Sequence, residues 1–131
     1  MNTVRILIFI WIITSIFDMF TRFKTCLCEK FEILPILLIH RFIWVAMFFG
    51  WMFNDKSILV SYVIFLMLLR VHWIFNNNEC VVTQIERNIC QFPEDSYSDY
   101  FYNFCDKENI DFYYGSIQLF ICLVVFSKLV S

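Results

Sequence analysis

The sequence predicts an all-α, polytopic membrane protein: four transmembrane helices with a short amphipathic surface helix in the third loop. Composition carries most of this. Of the 131 residues, 60% are hydrophobic, 21% aromatic and 17% charged, and the mean hydropathy is +0.67. A soluble domain is about 45–50% apolar with about a quarter of its residues charged. A small water-soluble sphere has too much surface to hide so many apolar side chains. The second observation is that the apolar residues gather in four long stretches separated by polar segments. Thirdly, seventeen phenylalanines stand against two glycines and two prolines, which excludes a disordered chain. A net charge of −2 without a basic stripe argues against nucleic acid as a partner.

The first stretch runs Ile6–Phe17 and extends to Phe20, giving a span over about residues 5–20. Arg5 followed by an apolar run resembles the start of a signal peptide, but Asp18-Met-Phe-Thr-Arg-Phe is too bulky for a small-x-small cleavage site, so an uncleaved anchor is expected. The second span, 33–53, is interrupted by His40 and Arg41. The third, 57–75, holds Arg70 and His72 near its end, and the Asn54-Asp55-Lys56 turn makes these two an antiparallel hairpin. The fourth, 112–130, contains Gln118 and ends near Lys128. About twenty residues cross the ~30 Å hydrocarbon core, so each stretch is long enough to span.

Four spans return both termini and the Asn54–Lys56 turn to one side, A, and place Arg22–Glu32 and the 76–111 segment on the other, B. Lysine and arginine counts do not decide the orientation. The 76–111 segment carries eight acids against two bases, and Cys26, Cys28, Cys80, Cys90 and Cys105 all fall on side B. Both features favour side B facing away from the cytosol, with the termini cytosolic. The five cysteines are candidates for disulfides, as loop-to-loop pairs or as the local pairs Cys80–Cys105 and Cys80–Cys90; scattered free thiols are the alternative. Cys122 lies within a span and is expected to be reduced.

Within 76–111, Thr83-x-x-Glu86 reads as a capping box, and Ile85, Ile89 and Phe92 follow at helical spacing. These predict a short amphipathic helix ended by Pro93 and lying at the membrane surface. The acid–aromatic alternation of Tyr97–Phe104 suits the headgroup level. No repeat or linker divides the chain, so a single membrane domain, 1–131, is expected.

Ionisable groups inside spans are costly and face a protein interior or a water cavity. At 1.5 Å per residue, His40 and Arg41 lie roughly 10–12 Å from side B, Arg70 and His72 roughly 5–8 Å, and Gln118 about 9 Å. Together they form an expected polar layer against the 80–87 segment. Glu86 is the first candidate carboxylate to meet it, opposite Arg70, followed by Glu79, Asp18 and Glu32. The layer is either a structural network or a binding site. Two histidines on separate spans invite a haem or metal reading, but no carboxylate or thiolate stands at ligand spacing beside them, so no cofactor and no metal are expected. No catalytic motif is present.

The segment His40–Arg87 resembles a bacterial family of small four-helix membrane proteins of unknown function. Those carry a leucine-histidine pair, a glycine ten residues later, and a Cys-Pro-Leu-Thr-x-x-Glu motif after the next span. Ile39-His40 with Gly50 keeps the interval, and Cys80, Thr83, Glu86 and Arg87 keep the motif apart from Val81-Val82 in place of Pro-Leu. A second histidine expected near Ser61 is missing. With the linking segment and last helix that follow the motif in that family, the resemblance covers about two-thirds of the chain, and it implies that His40, Cys80, Thr83 and Glu86 cluster.

Three functions fit. The first is a structural or assembly subunit of a larger membrane complex or virion membrane, with the lipid bilayer and other membrane, capsid or complex subunits as partners. A second is a quinone-linked membrane thiol oxidoreductase using Cys26-Leu-Cys28, although a CxC in a loop lacks the helix-start CxxC that lowers a thiol pKa. The third is a small transporter or lipid-binding protein using the polar layer. A single alanine, Ala46, beside abundant Phe, Ile, Asn and Tyr fits an A/T-rich genome of viral, protist or organellar origin, or selection for bulky lipid-facing side chains.

Overall fold

The computed structural model describes residues 2–25, 30–77, 79–91 and 109–131, and for 21–25, 30, 31, 110 and 111 the backbone alone. The protein is all-α. Its helices are α1 (Thr3–Thr25), α2 (Lys30–Phe49), α3 (Lys56–Phe75), α4 (Val81–Cys90) and α5 (Ile110–Val130), and a 3-10 turn, Gly50–Met52, continues α2. α1, α2, α3 and α5 are long and apolar enough to cross a membrane. The chain divides into two compact units: Met1–Ala46 with Cys80–Ser98, and Met47–Glu79 with Asp99–Ser131.

In the first unit Met19, late in α1, packs on Ile33 and Leu37 at the start of α2, whereas Trp11 meets Phe42 further along. α1 and α2 therefore run antiparallel. The Trp11 indole N–H donates to the Leu38 carbonyl at 3.0 Å. α4 lies along the same part of α2, with Cys90 and Ile89 in the Ile33–Leu37 cluster. Its start differs from the sequence reading. Cys80 is the N-cap and makes no side-chain cap bond, while Thr83 and Glu86 stand inside the helix and are buried. The expected capping box does not form, because both side chains turn into the unit. α4 ends at Cys90 with Gln91 in the left-handed region at φ 54, two residues before Pro93; the residue before a proline disfavours helix.

The buried stripe of α4 is Thr83, Glu86 and Cys90, whereas Val81 and Ile85 are exposed. The polar stripe of this amphipathic helix thus faces the interior. α1 behaves alike: Ser15 and Asp18 are buried, and Ile12, Ile13, Ile16 and Phe17 face outward. An interior richer in polar groups than the exterior is what a lipid environment selects, since hydrocarbon leaves a polar group unsatisfied.

In the second unit Asp55 caps α3, its carboxylate accepting from the N–H groups of Ser57 at 2.9 Å and Ile58 at 3.1 Å. Asp55 thereby satisfies two of the donors that a helix start leaves without intrahelical partners. α3 buries Leu59, Tyr62 and Leu66, and α5 buries Tyr114, Ile121 and Val125. Lys56 Nζ donates to the Leu129 carbonyl at 3.2 Å, and at the other end the Trp73 and Tyr114 rings meet at 5.4 Å. α3 and α5 are therefore antiparallel neighbours. The Tyr62 hydroxyl donates to the Met47 carbonyl and its ring lies over Gly50, where an added Cβ would run into the ring. Glycine is required there for close approach; its φ is not positive.

Candidate functional site: a buried polar core

An arginine–aspartate ion pair and a histidine–glutamate contact occupy the interior of the first unit. Arg41 Nε donates to Asp18 Oδ2 at 2.7 Å, joining α2 to α1, and the two side chains are 6% and 1% exposed. His40 Nδ1 lies 3.2 Å from Glu86 Oε2, joining α2 to α4, again with both side chains almost fully buried. His40 and Arg41 are adjacent in sequence and hence about 100° apart around α2, so one turn of helix engages both neighbours. The Arg41 guanidinium also sits 5.9 Å from the Trp44 ring centre, one turn along the same helix.

The sequence singled out the right cations here and underrated Asp18. An acid at the edge of an apolar stretch reads as the end of a span. α1, however, continues seven residues beyond Asp18 to Thr25, and the carboxylate is an interior group. The lone acid in an otherwise apolar run was the available signal. Glu86, the first candidate carboxylate, is fully buried beside His40. Thr83 is buried on the same face of α4, and Arg87 is half-buried on that helix.

Cys80 and Cys122 are free thiols, so the pairings that would use Cys80 are not those formed. The buried Cys90 is disulfide-bonded. Cys26, Cys28 and Cys105 lie outside the described residues, as do Phe92, Pro93 and the Tyr97–Phe104 stretch.

In the second unit, Arg70 on α3 and Gln118 on α5 are half-buried. Arg70 was expected opposite a carboxylate, but its Nη1 is buried without a hydrogen-bond partner among the described residues. Gln118 Nε2 is in the same position, and so is Trp73 Nε1, which the sequence reading passed over. His72 is two residues from Arg70 and faces away from it, because i and i+2 do not share a helix face. Lys128 donates to the carbonyls of Trp51 at 2.9 Å and Phe53 at 3.3 Å, and to Asn54 Oδ1 at 3.2 Å. It satisfies carbonyls left open at the end of α2, and its role was not read from the sequence beyond its place at the end of a span.

Among the described residues no group of three or more His, Cys, Asp or Glu side chains is placed to hold a metal ion. No family model, curated protein or solved structure matches the chain.

Proposed function

We propose that this chain is a structural or assembly subunit of a larger membrane complex or virion membrane. The observation that supports the reading best is the disposition of the polar side chains in the first unit. Asp18, His40, Arg41 and Glu86 are directed at one another across three helices, while the outward faces of α1 and α4 carry Phe, Ile and Val. Buried pairs of this kind fix register and partner helix more dependably than they add stability. An exterior of bulky apolar groups suits acyl chains and the apolar flanks of neighbouring subunits.

The same reading includes four spans, with both termini on the cytosolic side and the cysteine-bearing segments opposite. It also includes a loop-to-loop disulfide from Cys90. Because Cys90 packs on Ile33, close in sequence to Cys28, the first loop is the favoured source of its partner. The resemblance in the His40–Arg87 segment agrees with a close approach of His40 and Glu86.

Extraction of the native membrane in mild detergent tests the function. Stoichiometric co-purification with a larger particle is the expected result, and a His40→Ala chain should enter that particle less efficiently. A chain that always migrates alone, with full incorporation of the variant into every membrane fraction, would overturn the reading.

A further inference from the structure

We propose that the α3–α5 seam binds the phosphodiester of a membrane phospholipid through Arg70, Trp73 and Gln118. The register of the seam brings these residues together. The Lys56–Leu129 and Trp73–Tyr114 contacts fix α3 antiparallel to α5, and between them Arg70 falls opposite Gln118. Arg70 and Trp73 continue the α3 stripe of Leu59, Tyr62 and Leu66, and Gln118 lies on the α5 stripe of Tyr114, Ile121 and Val125. The seam thus changes from apolar side chains to a polar rung and then an aromatic rung.

All three unsatisfied atoms on those rungs, Arg70 Nη1, Trp73 Nε1 and Gln118 Nε2, are donors, and one belongs to a permanent cation. Glu79, the described carboxylate that follows α3, has interactions of its own, and its buried Oε1 takes no hydrogen bond among the described residues. Three donors and a positive charge call for an anionic acceptor with several oxygens, and the guanidinium fork fits a phosphate. The position selects the source. Arg70 is five residues from the end of α3, about 7–8 Å along the axis, which sets the polar rung just beneath the headgroup layer. Phe75 and Phe112, exposed at the same end, and the Trp73–Tyr114 pair form the aromatic collar typical of that layer.

The test is thermal unfolding of the full chain in a phosphate-free maltoside detergent, titrated with phosphatidylglycerol, with diacylglycerol of the same chains, or with inorganic phosphate. Phosphatidylglycerol is expected to raise Tm saturably, and the other two to leave it unchanged. Trp73→Phe, which keeps the ring, and Gln118→Leu, which suits an apolar setting, should each weaken the apparent affinity roughly tenfold or more. That loss corresponds to one hydrogen bond to a charged group. Arg70→Gln should abolish the shift; where that variant fails to fold, the other two decide. An equal shift from diacylglycerol or from inorganic phosphate would overturn the assignment, as would a phosphatidylglycerol effect that Trp73→Phe and Gln118→Leu leave intact.

Discussion

Replacing Asp18 by leucine removes the counterion of a guanidinium that has almost no access to water. At the observed 2.7 Å and an effective dielectric constant of about 20, the pair's attraction is about 6 kcal/mol. Desolvating two ions costs several kcal/mol each, so the intact pair contributes little net stability. Loss of one partner is different, because the desolvation of the survivor is no longer offset. Breaking such a pair typically costs about 3–5 kcal/mol. Arg41 retains the Trp44 ring, which places Asp18→Leu toward the lower end, about 3 kcal/mol. Arg41→Met should cost a similar amount, and the double variant should return to within roughly 2 kcal/mol of the parent, since both ions are gone. Reversible unfolding in bicelles, driven by rising dodecyl sulfate mole fraction, measures all four corners of the cycle. Additive losses, or a single-variant loss below about 1 kcal/mol, would refute the reasoning.

The same unfolding assay should show Gly50→Ala destabilised by about 1–3 kcal/mol, because the new methyl group forces the Tyr62 ring and the Met47 bond to move. Lys128→Met should lose about 1 kcal/mol, the part-exposed amine being screened by solvent; no change would show that the three contacts at the end of α2 do not hold α5 in place. Maleimide applied to the unreduced protein in detergent should label Cys80 and spare Cys90, and reduction should expose Cys90. Peptide mass spectrometry separates the two, and prior labelling at Cys90 would contradict its disulfide.

Most of the fold was legible because few structures tolerate such a composition. Four apolar stretches of spanning length and a three-residue turn specify α1, α2, α3 and α5 with little help from tertiary contacts. The candidate site was legible in its cations and less so in its geometry. His40 and Arg41 stand out because nothing else interrupts the second stretch. Asp18 did not, since counting inward from an assumed boundary misplaces any group whose helix runs past that boundary. α4 was misread at its start, where Thr83 and Glu86 stand inside the helix and do not cap it. Ile85 and Ile89 at helical spacing point inward in water, but Thr83, Glu86 and Cys90 are the ones buried here. Hydrophobic periodicity locates the apolar face and leaves open what that face meets.

That reversal bears on how these helices associate at all. Spanning helices usually approach through glycine, alanine and serine, which let backbones come close and gain dispersion contacts. This chain has one alanine and two glycines, and Gly50 already accommodates the Tyr62 ring. With so few small residues, directional groups that reach from one helix to the next add to the apolar contacts between them. Those groups are present: the Trp11 indole on Leu38, Arg41 on Asp18 and His40 beside Glu86 in the first unit, and Tyr62 on Met47 with Lys56 on Leu129 in the second. Each is directional and joins one helix to one partner. Selectivity for the partner helix then rests on these few polar contacts, since apolar contacts alone are less directional. Substitutions among the exposed phenylalanines should be tolerated, while single changes at Asp18, His40, Arg41 or Glu86 should not. A substitution scan read out as folded yield in detergent would expose this contrast, and equal sensitivity at Phe9 or Phe17 would show that the apolar exterior, not the polar interior, directs the packing.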